Sequence, residues 1–359
     1  MNKSIFYFIA CVFLLSSFAM ARILSGSVFA FTYLSAIAIS LWLTQRVFPF
    51  FIRKMEERKI IGKDMNKYEK AEIAEMGGIL VLFGFSMAMM FSIFLFTYST
   101  LTQIQLNLHI ILAGILTICL VGLIGIFDDL IGWRKGIRQW QHALLPLFAA
   151  LPLMAIRAGI HSLNVPFFGV MELGAIYSLI LIPIGVTGAA NAFNMLAGFN
   201  GLEAGQGILI IATLSIVAFF EGQIEAVLIG IAMISALLAF IRFNWFPAKV
   251  FGGDSLTLMI GATIASMAII GNMEKLGIYL LAIYFIELGF KAKHKFQSQC
   301  FGLPQKDGSL KRNPKGGSLT QVILKYVNSE KKVVLTILGI QTVICIIGLF
   351  FYFTGLLKF

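Results

Sequence analysis

Eleven long apolar segments constrain the fold of this chain more than any other feature of its sequence. Most are near the roughly 20 residues that a helix needs to cross a bilayer. The chain is 59% hydrophobic and only 13% charged, whereas soluble proteins average about 45–50% and about 25%. We therefore predict an all-α polytopic membrane protein with about ten to eleven transmembrane helices. The segments lie near 5–21, 27–45, 77–99, 104–126, 140–158, 172–193, 205–221, 224–241, 255–272, 276–290 and 333–357.

The first apolar segment, within residues 1–26, allows two interpretations. Lys3, a short apolar run and Ala-Met-Ala at 19–21 are similar to a secretory signal. The same residues could instead form an extra transmembrane helix. In both cases residues 27–359 are predicted to form one membrane domain, because no polar segment is long enough for a separate soluble domain.

The basic residues are distributed unequally between the two sets of loops. If the segments cross the membrane alternately, all but four of the 28 Lys and Arg residues lie on the side of the N-terminus. Basic loops mark the cytoplasmic side, so we expect a multi-pass protein of the cell membrane with this side in the cytoplasm. Such loops also contact anionic membrane lipid. No basic run alternates with stacking aromatic residues, so nucleic acid is not an expected partner.

Four polar segments lie in or beside the cytoplasmic loops. Polar groups next to membrane helices are costly and often functional, so a site assembled from several loops on one side is expected. The segments are GKDMNKYEKAEIAEMGG at 62–78, GIFDDLIGWRKGIRQW at 125–140, NAFNMLAGFNGLEAGQG at 191–207 and VFGGDSLTLMIG at 250–261.

Three aspartates in these segments are candidates for catalysis. Asp128 and Asp129 are adjacent at the end of one apolar run, where their charges repel unless Mg²⁺ or the basic residues at 134–138 compensate. A solvated helix end is the alternative. Asp254 follows two glycines at the start of another run, where the free N–H groups of a helix favour an anion. An ordinary helix cap is the alternative there.

The third segment is rich in amides. Asn191 and Asn194 would share a helix face, and with Glu203 they flank a turn that contains Gly198, Asn200 and Gly201. Amide oxygens can bind Mg²⁺, and amides can read the edges of a nucleobase. A capped helix end followed by a polar turn is the alternative. Among the histidines, only His294 of the last basic loop is a functional candidate. Together these groups indicate a site for a metal-bound phosphate compound.

The four segments, in this order and on one side, resemble the polyprenyl-phosphate N-acetylhexosamine-1-phosphate transferases. NMLAGFNGLEAGQ and GKDMNK are most similar to the eukaryotic and archaeal branch, which transfers GlcNAc-1-phosphate to dolichyl phosphate. The resemblance extends over residues 28–357. It implies UDP-GlcNAc and Mg²⁺, or Mn²⁺ in its place, at the cytoplasmic face, and a groove for polyprenyl or dolichyl phosphate. It is also compatible with a homodimer.

The resemblance also implies roles for individual residues. Asp254 and Asn194 would bind Mg²⁺, and Asp128 and Asp129 would lie beside the reacting phosphates, so that the three aspartates form the catalytic set. The 62–66 loop would close over the nucleoside. The implied substrate-binding residues are Lys63, Asp64, Asn66, Glu75, Arg138, Asn191, Asn200, which would face the uracil, Glu203 and His294.

Two departures from the family pattern bear on the substrate. Ala197 and Asn200 replace aspartates of the peptidoglycan branch, which argues against a MurNAc-pentapeptide substrate. The last cytoplasmic loop, KAKHKFQSQCFGLPQKDG, matches neither HxH nor RHR, so the identity of the sugar stays open.

The predicted reaction is transfer of GlcNAc-1-phosphate from UDP-GlcNAc to a polyprenyl phosphate of the dolichyl type. It would release UMP and form GlcNAc-pyrophosphoryl-lipid, the first step of lipid-linked glycan assembly. One alternative is the same chemistry with another UDP-N-acetylhexosamine, as in bacterial undecaprenyl or MurNAc-pentapeptide pathways. A nucleotide-sugar transporter is the other, although it should show binding groups near the midplane and paired repeats.

Overall fold

The structure, a computed structural model, describes residues 27–98, 106–132, 139–165, 169–314 and 316–358. The first apolar segment, within residues 1–26, and Arg138 lie outside the described residues.

Helices account for most of the described chain. Tyr177–Leu181 is a short π-helical turn that continues directly into the sixth α-helix. The helices are α1 Ser27–Glu57, α2 Gly78–Tyr98, α3 Leu108–Gly132, α4 Gln139–Ala149, α5 Leu151–Ala155, α6 Ile182–Met195, α7 Leu202–Phe220, α8 Ile224–Asn244, α9 Asp254–Ile270, α10 Glu274–Leu280, α11 Ala282–Lys293, α12 Leu319–Ile323 and α13 Glu330–Phe353.

Short antiparallel hairpins connect some of these helices. Within the described residues there are three, each with two strands, and all lie outside the long apolar helices. These hairpins were not predicted from the sequence. The strand pairs are β1 Ile61–Lys63 with β2 Glu72–Ala74, β3 Ser162–Val165 with β4 Gly169–Glu172, and β5 Leu303–Pro304 with β6 Leu310–Lys311.

Seven helices of the described chain are long and apolar enough to cross a membrane, and α9 is a shorter apolar helix. The predicted polytopic helical fold is thereby confirmed. Two predicted segments differ, since 140–158 forms α4 and α5, and 276–290 belongs to α10 and α11. The break between α4 and α5 comes just before Pro152, which cannot donate a backbone hydrogen bond.

Helix α8 forms the centre of the bundle and is buried over almost its whole length. Helices that are apolar on all sides belong in the interior of a bundle, and α1, α2, α7 and α9 pack against α8.

Helices α3 and α9 cross closely at Gly125, where a Cβ atom would lie only 2.5 Å from Ser255 Cα. Glycine therefore allows the end of α3 to reach the start of α9.

One end of the bundle, here called the far face, joins loops that the charge pattern assigns to the same side. Asn107 N donates to Glu225 Oε1 at 2.8 Å, and Ile160 N donates to Asn272 Oδ1 at 2.7 Å. The Tyr177 hydroxyl donates to Glu274 between the same loops. The polar segments singled out in the sequence lie at the opposite end, here called the site face. The structure thus places the two sets of loops at opposite ends of the bundle, in the alternating order that the apolar segments predict.

Candidate active site

At the site face, the end of α3 caps the start of α9. Asp129 Oδ1 accepts from Asp254 N at 2.7 Å, and Asp129 Oδ2 accepts from Ser255 N at 3.1 Å. The first N–H groups of a helix lack partners within the helix, so a carboxylate satisfies them well. Gly253 has φ +76°, and a Cβ atom there would lie 2.4 Å from Asp129 Oδ2. The carboxylate of Asp129 thus fixes the backbone that carries Asp254.

The adjacent acids of α3 occupy different positions. Neighbouring residues of an α-helix point about 100° apart, given 3.6 residues per turn. Asp129 is directed at α9, while Asp128 is buried, with 8% of its surface exposed. The two carboxylates therefore do not form one symmetric pair, although both lie at the end of α3 on the site face.

The amide of Asn194 lies beside the first turn of α9. Thr257 Oγ1 is 3.2 Å from Asn194 Oδ1 and 3.3 Å from the carbonyl oxygen of Asp254. Asn191, one turn earlier in α6, donates from Nδ2 to the carbonyl oxygen of Thr187 at 2.9 Å. Thr257 thus links the Asn194 amide to the backbone of Asp254. The amide nitrogen of Asn191 is instead hydrogen-bonded within its own helix.

A parallel backbone contact brings Glu75 to the same place. Phe251 N donates to the carbonyl oxygen of Ala74 at 2.8 Å, and Gly77 N donates to that of Phe251 at 2.8 Å. Glu75 is half-buried next to these bonds. Burial, and then the negative charge of Asp254, raise the pKa of Glu75 above its usual range. Glu75 and Asp254 are therefore close enough to influence each other's charge.

The predicted nucleoside loop and the glycine turn form a buried set of hydrogen bonds. Asn66 Nδ2 donates to the carbonyl oxygen of Gly198 at 2.9 Å, and Gly302 N donates to Asn66 Oδ1 at 3.1 Å. Asn200 Nδ2 donates to Asp64 Oδ2 at 3.1 Å. Asn66 therefore joins three loops. The amide nitrogen of Asn200, predicted to face the uracil, is used within the protein.

Glu330, the first residue of α13, belongs to this set and was not predicted. Its carboxylate accepts from Asn200 N at 2.9 Å and from the ammonium of Lys67. In the sequence, Glu330 opens an apolar run beside two lysines, as many interfacial helix ends do. Nothing in that pattern pairs it with a residue 263 positions away.

Glu203 holds the glycine turn from the other side. Its Oε1 atom accepts from Gly198 N at 2.6 Å, and Gly201 N donates to Asn244 Oδ1 at 2.9 Å. Gly201 has φ +83°, a left-handed conformation that glycine adopts without strain. Glu203, predicted to contact the substrate, is thus also the residue that shapes the turn.

The last basic loop, which follows α11, folds back over this turn. Glu287 is fully buried and accepts a hydrogen bond from Leu319 N at 2.8 Å. This bond fixes the C-terminal end of the loop, where α12 begins. The Phe301 ring lies against Gly198, where a Cβ atom would be 2.5 Å from it. His294 and Lys63, both predicted to bind substrate, have exposed side chains. Glu287 was missed because a glutamate near a basic loop is common.

The donor atoms around Asp254 fit Mg²⁺ bound together with a phosphate substrate. Among the described residues, no group of three or more His, Cys, Asp or Glu side chains could hold a metal ion. Mg²⁺ prefers oxygen donors and usually takes only one or two carboxylates, completed by phosphates and water. Asp254, Glu75 and the Asn194 amide supply such oxygen donors. This donor set suits a metal that arrives with a diphosphate.

A membrane bundle with carboxylates, amides and a basic loop at one end defines a membrane enzyme that acts on phosphate compounds. Residues 111–272 match the family model described as Glycosyl transferase family 4. A protein of Saccharolobus solfataricus is 33% identical over 87% of this chain and 94% of its own length. A protein of Sulfolobus acidocaldarius is 33% identical over 82% of this chain and 89% of its own length.

Both archaeal relatives carry the provisional name UDP-N-acetylglucosamine–dolichyl-phosphate N-acetylglucosaminephosphotransferase. The phospho-N-acetylmuramoyl-pentapeptide-transferase of Streptococcus mutans is 32% identical over 71% of this chain and 77% of its own. The chain belongs to the family that contains these relatives and matches the Glycosyl transferase family 4 model. It is therefore a glycosyl-1-phosphate transferase of the membrane. The predicted family and enzyme class are thereby confirmed.

Proposed function

We propose that the protein transfers GlcNAc-1-phosphate from UDP-GlcNAc to a dolichyl-type polyprenyl phosphate. The products are UMP and GlcNAc-pyrophosphoryl-lipid. The substrates named for two archaeal relatives, each covering more than four fifths of this chain, support this choice. The observation that carries the proposal is the meeting of Asp129, Asp254 and Asn194 at one end of the bundle.

In the proposed reaction, an oxygen of the lipid phosphate attacks the β-phosphorus of UDP-GlcNAc, which carries the sugar. The bond between this phosphorus and the bridging oxygen breaks, and that oxygen leaves with UMP. A phosphate monoester with a second pKa near ~6 is already largely dianionic at pH 7. The attacking group therefore needs little help from a base, and direct attack is preferred to an aspartyl-phosphate intermediate.

The main task of the site is to bring two anions together. Asp254 and Asn194 would hold Mg²⁺, or Mn²⁺, with the diphosphate. When bound, the metal would neutralise charge that develops during phosphoryl transfer. Asp129 keeps Asp254 in place through the first turn of α9. Asp128, at the same end of α3, is proposed to orient the lipid phosphate, and Arg138 to screen the phosphates from each other.

The uridine would bind at the glycine turn that the nucleoside loop and the last loop enclose. Asp64 and Asn66 of the nucleoside loop hydrogen-bond to the glycine turn, and Glu203 accepts a hydrogen bond within that turn. These bonds would hold the proposed uridine site in shape. The site face is proposed to lie in the cytoplasm, because the basic loops gather there. Lys63 and His294, exposed near this end, are proposed to meet the sugar-phosphate part.

The test uses purified protein in detergent with UDP-GlcNAc, dolichyl phosphate and Mg²⁺, and measures UMP release. We expect release that requires lipid and metal and is lost in Asp254→Ala, because the variant removes a proposed metal ligand. Asp307→Ala, which changes an exposed aspartate of the last loop, is the matched control and should keep full activity.

Other UDP-sugars distinguish the outcomes of this test. Turnover only with another UDP-N-acetylhexosamine would keep the chemistry and correct the sugar. If folded protein released UMP from no UDP-sugar with any polyprenyl phosphate, the proposed reaction would be wrong.

A further inference from the structure

Lys67 directly follows the nucleoside loop at 62–66, and its ion pair with Glu330 connects this loop to the last transmembrane helix. Glu330 is only 3% exposed at the start of α13. A buried carboxylate is costly unless charged and hydrogen-bonding partners surround it. Here Lys67 and the backbone N–H of Asn200 occupy the two carboxylate oxygens, Oε2 and Oε1 respectively.

Lys67 is committed to contacts inside the protein. Its Nζ atom contacts Glu330, lies 3.5 Å from Asp64 Oδ2 and lies 4.0 Å from the centre of the Phe246 ring. An ammonium has three N–H donors, and the two carboxylates and the ring surround it. A lysine in a polar loop beside a proposed phosphate site would ordinarily be expected to bind phosphate. Lys67 is instead directed at protein groups.

The pair controls the position of the glycine turn. Asn200 is held at two points, since its backbone N–H donates to Glu330 and its side-chain Nδ2 donates to Asp64. Both acceptors contact Lys67. Moving Lys67 or Glu330 would therefore shift the turn relative to the nucleoside loop. These contacts would not directly move the Asp129–Asp254 junction, which α3 and α9 form.

We propose that Lys67 and Glu330 are positioning residues for the donor nucleotide, and that α13 is thereby part of donor recognition. This inference rests on the proposed function, because it assigns the glycine turn to the nucleotide. Neither residue contacts the reacting atoms. The matched family segment, 111–272, contains neither residue, so that segment alone would not assign them this role.

The test measures kcat and the KM values for UDP-GlcNAc and dolichyl phosphate separately in Lys67→Met, Glu330→Gln and the double variant. Each single variant should raise the KM for UDP-GlcNAc about tenfold, the equivalent of 1.4 kcal/mol. The kcat and the KM for the lipid should stay within about threefold of wild type, less than 1 kcal/mol. Glu69→Gln and Lys325→Met change exposed residues of the same charge and should alter neither KM.

The double variant separates coupling from damage to the fold. Removing Lys67 alone leaves two buried carboxylates, Asp64 and Glu330, without their cation, whereas the double variant leaves only Asp64. The double variant should therefore be no worse than Lys67→Met alone. Strictly additive effects, an unchanged KM for UDP-GlcNAc, or equal effects on both substrates would overturn the inference.

Binding of UMP alone, measured by calorimetry, distinguishes this inference from the proposed function. Weaker UMP binding in the single variants would support the positioning role even if wild-type protein did not turn over UDP-GlcNAc. Unchanged UMP affinity in folded variants would overturn it. The thermal unfolding of each variant in detergent shows which variants are folded.

Discussion

At the scale of single residues, the position of the Asp129 carboxylate depends on the absence of a side chain at Gly253. Asp129 can reach the N–H groups of Asp254 and Ser255 because Gly253 has no side chain between them. The Gly-Gly-Asp sequence allows close approach of another group to the backbone at this point. It could not indicate what approaches, because Asp129 lies 125 positions earlier.

Gly253→Ala tests this arrangement. The new Cβ would lie 2.4 Å from Asp129 Oδ2, at a backbone φ of +76°. Strained backbone of this kind costs of order 1–3 kcal/mol, and displacement of Asp129 adds to it. We expect more than about a tenfold loss of kcat, the equivalent of 1.4 kcal/mol, together with a lower unfolding temperature.

Gly308→Ala is the matched control for Gly253→Ala. Gly308 has φ +80°, but a Cβ atom added there, in the exposed last loop, would have no other atom within 4 Å. It shares the positive φ but lacks the contact to a carboxylate. If both variants lost activity equally, the contact with Asp129 would not explain the effect.

At the scale of elements, hydropathy predicts which segments could cross the membrane but not the residues at which their helices begin and end. The predicted segment 27–45 continues as a helix to Glu57, through Gln45, Arg46 and the apolar residues 47–52. Segments 140–158 and 276–290 keep the apolar pattern although the helices break. Hydropathy reports transfer into lipid, whereas helix boundaries depend on backbone hydrogen bonds.

The crossing of α3 and α9 gives a prediction at this scale. In an ordinary helix position, Gly→Ala stabilises by roughly 0.5–1 kcal/mol. Gly125→Ala should do the opposite, because its Cβ would lie 2.5 Å from Ser255 Cα and force the two helices apart. We expect a lower unfolding temperature and loss of activity.

Gly185→Ala in α6, where nothing lies within 4 Å of the added Cβ, should be neutral or stabilising. The measurement is the unfolding temperature of each variant. Gly125→Ala should lower it, and Gly185→Ala should leave it unchanged or raise it. Stabilisation by Gly125→Ala would contradict the close crossing of α3 and α9.

At the scale of the whole molecule, both faces of the bundle contain buried polar groups that join distant loops. The sequence located the acids, Asn194 and the amide turn, because such groups are rare among apolar residues. It could not assign Glu330 to the turn or show that Asp64 and Asn200 bond to each other. These partners come from different helices, and only the packing of the whole bundle brings them together.

The far face gives a prediction about pH. Burial raises the pKa of Glu274 from its usual 4.5 to about 7, partly offset by the hydrogen bond from Tyr177. The folded protein therefore binds this proton more tightly than the unfolded chain does. The stabilisation is complete below pH 4.5 and is lost as the pH rises through about 7.

Glu274→Gln, which cannot titrate, should remove this dependence. Between pH 4.5 and pH 8, wild type should lose about 3 kcal/mol of stability relative to the variant, from a shift of about 2.5 pH units. Unfolding temperatures of both proteins in detergent across this range provide the measurement. A constant difference between them would contradict the raised pKa.

The fate of the β-phosphorus of UDP-GlcNAc shows whether the protein transfers the sugar together with its phosphate. UDP-GlcNAc labelled at the β-phosphorus and, separately, in the sugar would be incubated with the protein, dolichyl phosphate and Mg²⁺. We predict equal amounts of both labels in the lipid product, unlabelled UMP, and loss of both transfers in Asp254→Ala. Sugar in the lipid without the β-phosphorus would contradict this prediction.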